Sequence, residues 1–150
     1  ERLHMKTDLK SDCAPLNGLV QRFLSAGLSI HTIRDITRGG LATVAGELAA
    51  SSGKAMELWE EKIPVSHEVK GLAGILGLDP LTMGNEGKMI IVLPAAEAER
   101  ALSLLREDPH GRDAAVVGTI KEGTGVTLIT AFGGRRRLLP LRGEGLPRIC

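Results

Sequence analysis

The sequence predicts a layered α+β domain built on a mixed sheet. Stretches with apolar residues at helical spacing alternate with short, β-branched, strand-like runs, and the connections between them include both crossovers and turns short enough for hairpins. With 150 residues, 43% of them hydrophobic, the chain suits one globular core and can bury roughly two thirds of its unfolded surface. A doubly wound sheet would need crossovers throughout, which the hairpin-length turns oppose.

Taken in order, Leu3, Met5, Thr7 and Leu9 alternate with polar neighbours, as a strand or extended linker does. The chain opens on Glu1 rather than Met, so residues 1–11 are expected to be a linker or strand from a longer protein, with the domain itself at 12–139. Asp12 and Pro15 form a helix-start signal, and Leu16, Leu19, Val20, Phe23 and Leu24 repeat at helical spacing up to Gly27. Leu28 to Thr37 reads as a strand that runs into Arg38-Gly39-Gly40. A second helix follows through Leu41, Val44, Ala45, Leu48 and Ala49 to Gly53. Ala55 to Ile63 is a strand closed by Pro64, and Ser66 caps a short helix carrying Val69, Leu72, Ala73 and Leu76. Residues 79–87 form a polar loop entering the apolar strand Met89 to Leu93, after which Pro94 opens a helix through Ala98, Ala101, Leu102 and Leu105. Past the turn at 108–111, Ala115 to Ile120 and Val126 to Ala131 are expected to pair as a hairpin around Glu122-Gly123-Thr124-Gly125, with a last short strand after Gly133-Gly134.

Composition excludes several functions. A net charge of +1, no Tyr, two Phe and one Trp leave neither the basic excess nor the stacking aromatics of a single-strand nucleic-acid binder. The absence of a signal peptide or long apolar run, with two cysteines far apart, points to a soluble protein in a reducing cytoplasm, with free thiols and no membrane partner. His4, His31, His67 and His110 are too dispersed for a zinc pattern, and there is no Cys-x-x-Cys. Cys13 reads as a small apolar packing residue near the first helix.

Two loops can carry chemistry. In Asp35-Ile36-Thr37-Arg38-Gly39-Gly40, glycines let backbone amides approach an anion, the helix start adds a positive dipole end, and Arg38 can fork onto phosphate. Asp35, at the strand end, can hold magnesium or simply act as a cap. The stretch lacks the Gly-Lys-Ser/Thr ending of a P-loop and the Rossmann spacing. In the second loop, Asn85 and Glu86 lie between Gly84 and Gly87, so an amide and a carboxylate are presented where the backbone bends tightly. Glu86 is there either a base or a turn side chain that merely faces solvent or pairs with Lys88. Arg135 to Arg137 is a charge run, which serves as a solvated strand end or as a dock for an acidic partner.

The third feature is the terminus, Leu146-Pro147-Arg148-Ile149-Cys150. Gly143 and Gly145 supply backbone freedom, while Pro140 and Pro147 disfavour helix, so 140–150 is expected to be a mobile tail. Extended from Leu139 at roughly 3.3 Å per residue, it would reach on the order of 35 Å. A thiol so placed suits a carrier, although terminal segments are also commonly frayed. The cysteine is too close to the end for a prenylation box. Arg148 favours the thiolate and the terminal carboxylate opposes it, so the tail alone does not activate the sulfur.

Together, Ser11-Asp12-Cys13-Ala14-Pro15-Leu16, Arg34 to Leu41, Asp79 to Gly87 and Leu146 to Cys150 resemble the C-terminal domain of the HypE family of hydrogenase maturation proteins. The resemblance covers essentially the whole chain. It implies a fold like the C-terminal domain of aminoimidazole ribonucleotide synthetase, whose other relatives share the glycine turn but lack the terminal Pro-Arg-Ile-Cys. It further implies an ATP-dependent carbamoyl dehydratase using ATP and Mg²⁺, with the carbamoyltransferase HypF loading Cys150. ATP then activates the carboxamide oxygen, and the resulting thiocyanate supplies cyanide to a HypC-HypD scaffold for nickel-iron hydrogenase. On this resemblance Cys150 is the carrier, Glu86 the candidate base, and Arg38, Gly39, Gly40 and Asn85 lie toward the nucleotide. Asp35 occupies a position that selenophosphate synthetases use for magnesium. Most of the ATP site and the homodimer interface would belong to an N-terminal domain that this chain lacks. Two other readings stand beside it: half of an ATP-dependent small-molecule synthetase or kinase, and a non-catalytic docking domain.

Overall fold

The computed structural model describes residues 10–140. The opening Leu3–Leu9 alternation, His4, and the tail from Leu141 through Cys150 lie outside the described residues. Among the described residues four α-helices, α1 (Asn17–Ser25), α2 (Gly40–Ser52), α3 (His67–Leu76) and α4 (Ala98–Arg106), are interleaved with six strands: β1 (Thr32–Asp35), β2 (Ala55–Trp59), β3 (Met89–Val92), β4 (Gly118–Lys121), β5 (Gly125–Ile129) and β6 (Arg135–Arg137). The architecture is mixed α/β, with a four-stranded mixed sheet and a separate antiparallel pair, β1 with β3.

The order within the larger sheet is β4-β2-β5-β6. This corrects the expected hairpin: β4 and β5 are not neighbours, because β2 lies between them, antiparallel to β4 and parallel to β5. Ala55 is opposite both Lys121 and Gly125, so the turn after β4 steps across the start of β2. A Cβ on Gly123 would sit 3.4 Å from that of Ala55. The adjacent hairpin is β5 to β6, closed by Thr130 N–H donating to the Gly134 carbonyl at 2.8 Å, with Phe132 fully exposed at its tip.

Strand alternation divides the sheet into two faces. Met56 and Leu58 of β2 and Val126 and Leu128 of β5 are buried and pack with Val44, Ala45 and Ala49 of α2. On the outer face Glu57, its side chain only 12% exposed, bonds Lys121 at 2.7 Å and Arg135 at 2.6 Å. Both cations hold its carboxyl below the usual glutamate range, the hydrogen bond from Lys121 contributing most. A second cluster, Phe23, Leu28 and Ala101, packs α1 against α4.

Several boundaries contract. The run from Leu28 is strand only over β1, and β2 ends at Trp59 in a 3₁₀ turn, Glu60–Lys62. Pro80–Thr82 and Ala95–Glu97 are also 3₁₀ turns. Ser66 does cap α3, accepting from the Val69 N–H, whereas Asp12 does not cap α1, whose N-cap is Leu16. Cys13 is an exposed free thiol rather than a packing residue.

Candidate functional site

Three separated stretches, 11–16, 34–41 and 79–87, meet at one junction, and backbone contacts hold it. Gly40 has φ +63°, and a Cβ there would lie 2.6 Å from the carbonyl oxygens of both Leu81 and Met83, so only glycine lets α2 begin beneath this loop. Gly84 passes the Thr37 carbonyl, with 3.0 Å to its would-be Cβ. The Asn85 N–H donates to the Ile36 carbonyl at 2.9 Å, and the Ile36 N–H donates to that of Lys88 at 3.0 Å. Opposite, Asp12 Oδ2 accepts the Glu86 N–H at 3.2 Å, and its carbonyl oxygen fills the space a Gly87 side chain would take.

The loop's far end is fastened through Asp79. One carboxylate oxygen accepts the Leu81 N–H at 2.9 Å, and the other takes Arg136 of β6 at 2.8 Å. Two of the three arginines in the charge run are thus engaged internally, Arg135 by Glu57 and Arg136 by Asp79. Among the described residues only Arg137 of that run has no ion pair for an acidic partner to replace.

Asp35, Arg38 and Glu86 all present exposed side chains that make no hydrogen bond or ion pair among the described residues, and Glu86 does not pair with Lys88. Asp35 ends β1 opposite Met89, and its neighbour Arg34 turns to Glu47 at 3.0 Å. Gly39 is half-buried, whereas Gly40 is buried beneath the 81–83 backbone, so an anion would meet Arg38 and Gly39 before Gly40. Asn85 uses its side-chain oxygen within the loop, accepting the Gly87 N–H at 3.1 Å.

Among the described residues no three His, Cys, Asp or Glu side chains cluster as a metal cage. Asp35, a single exposed carboxylate, offers one oxygen ligand of the kind magnesium takes. A shallow open depression at the end of β2, lined by residues including Trp59, Lys62 and Ile129, contains none of the predicted site residues. Lys62 Nζ lies over the Trp59 ring, 4.4 Å from its centre.

Sequence reasoning missed Asp79 as the link to β6 and the true partner of Asp12. Their contacts span 57 and 74 residues, beyond any local pattern.

Comparison with known proteins gives the family. Residues 2–131 match the family model of the AIR synthase related protein, C-terminal domain. The carbamoyl dehydratase HypE of Azotobacter vinelandii is 47% identical over the whole chain, which spans 45% of that protein. The chain therefore spans less than half the length of such relatives. Among solved structures, HypE in complex with ATP superposes with TM-score 0.90 at 43% identity, covering 99% of this chain and 46% of that one. HypE in a HypE-HypF complex gives 0.88 at 37% identity, covering 93% and 46%. Among the described residues no helix is long and apolar enough to cross a membrane.

Proposed function

The chain belongs to the AIR synthase related protein family, as its C-terminal domain, and from that premise we propose that it is the C-terminal part of a cytoplasmic, ATP-dependent carbamoyl dehydratase for nickel-iron hydrogenase maturation. The observation that carries this is the junction itself. Three motifs converge on a frame of backbone contacts, on which a carboxylate, Glu86, and a guanidinium, Arg38, are exposed and unpaired among the described residues. The HypE relatives, one solved with ATP and one with HypF, support the same reading.

In this scheme Cys150 carries a carbamoyl group as a thiocarbamate, S–C(=O)–NH₂, received from the carbamoyltransferase HypF. The carboxamide oxygen attacks the γ-phosphorus of ATP, ADP leaves, and one N–H proton is lost, giving an O-phosphorylated imidate. Removal of the remaining N–H proton as the C–O bond breaks expels phosphate and leaves S–C≡N. Phosphorylation replaces a hydroxide-like leaving group, and a placed base removes the proton, so both barriers fall. Glu86 is the base. Arg38 and the Gly39 backbone face the phosphates, and Gly40 and Asn85 shape the turns that place them. Asp35 would hold Mg²⁺, which supplies charge neutralisation at the phosphates. The cyanide then passes to a HypC-HypD scaffold, and the full-length protein is a homodimer through its N-terminal domain, which contributes most of the ATP site.

Mass analysis of the terminal residues tests this, after full-length protein is incubated with the carbamoyltransferase, carbamoyl phosphate and ATP. Cys150 should gain the thiocyanate mass, and Glu86→Gln should stall at the carbamoyl adduct. An unmodified Cys150 would sink the reading. This chain by itself should neither hydrolyse ATP nor dehydrate a carbamoylated Cys150.

A further inference from the structure

We propose that Asp12 is a positioning residue for Glu86, holding the backbone of the base in the orientation that dehydration needs; this rests on the assignment of Glu86 above. Three successive amides hold the loop in place, and each has a different kind of acceptor. The Asn85 N–H uses the Ile36 carbonyl at 2.9 Å, the Gly87 N–H uses the loop's own Asn85 Oδ1 at 3.1 Å, and the Glu86 N–H uses Asp12 Oδ2 at 3.2 Å. The middle bond alone is made by a side chain from a distant segment, 74 residues away. It also falls on the residue whose side chain stays unengaged.

The contact is built in rather than incidental. The space left by the missing Gly87 side chain is filled by the Asp12 carbonyl oxygen, and the Ala14 nitrogen lies 3.1 Å from that would-be Cβ. Backbone and carboxylate of one residue thus grip two consecutive positions of the loop. A carboxylate accepting an amide N–H makes a strong, directional bond, and small displacements of a catalytic group are costly in rate. Sequence alone assigned Asp12 to the start of α1, a role that Leu16 takes without any side-chain bond.

The test is single-turnover dehydration in full-length protein, with thermal melting measured alongside. Asp12→Ala should slow the chemical step about tenfold, the effect of losing one charge-assisted hydrogen bond, with the KM for ATP unchanged. Asp12→Asn retains an acceptor oxygen and should stay within about twofold of wild type. In a Glu86→Gln background, Asp12→Ala should add no further loss. If Glu86→Gln stalls the reaction but Asp12→Ala runs at the wild-type rate, the positioning role is wrong and the base assignment stands. A loss unrescued by Asn, or one that persists in the Glu86→Gln background, equally overturns the role by showing general structural damage. Full activity of Glu86→Gln itself would instead remove the base assignment, and the inference with it.

Discussion

The loop junction around Glu86 and the outer face of the four-stranded sheet both carry charge, but they deploy it in opposite ways. On the sheet, Glu57 is clasped between Lys121 and Arg135, so its charges satisfy one another and leave nothing for a ligand. At the junction, carbonyls, amides and missing side chains do the holding, while Asp35, Arg38 and Glu86 stay outside the network. Charge density alone therefore does not mark a site. A site is marked by charged groups left over once the backbone has secured the structure around them.

Four changes would break or sharpen that contrast. The largest effect belongs to Glu86→Gln: a general base contributes roughly 10²–10⁴ in rate, so single-turnover dehydration should fall at least about a hundredfold. The melting temperature should hardly change, because the side chain makes no hydrogen bond or ion pair among the described residues. Gly40→Ala should lower stability as well as rate. It forces a side chain against the Leu81 and Met83 carbonyls at φ +63°, costing about 3 kcal/mol in denaturant unfolding and misplacing the loop. Arg136→Ala removes the partly exposed tie to Asp79 and should cost no more than about 1 kcal/mol in the same assay.

Glu57→Gln should show its effect mainly in the pH dependence. The carboxyl of Glu57 is held below its ordinary value, so its ion pairs contribute stability above the unfolded value of about 4.3 and lose it as pH falls through the lower folded value. Wild type and variant should differ most near neutrality and converge in acid. Melting curves that stay parallel down to the acid limb would show that the sheet cluster is not what it appears from its geometry to be.

All four helices were legible in the sequence because apolar spacing is a local signal: Leu19 and Phe23 are the buried residues of α1, and Ser66 caps α3 as its hydroxyl predicts. The strands were legible as segments of a mixed sheet but not in their order. Nothing within Gly118–Ile129 records that β2, about sixty residues earlier, fits between its two halves. Gly40 shows the same limit at the site. A missing side chain serves phosphate approach and loop packing equally well, and only the position of Leu81 and Met83 distinguishes them. Asp12 was read through its neighbours, whereas its carboxylate answers to residue 86. The chemistry-bearing residues were legible as types; their convergence required the fold.

The insertion of β2 between β4 and β5 also bears on how the chain folds. A direct 118–129 hairpin would close over a very short loop, and so would form before β2 could enter, burying the edges that β2 needs. The native order demands pairing across long sequence separations, which places this sheet among slow-forming topologies. A β4–β5 hairpin, if made first, would have to open before β2 could take its place between them.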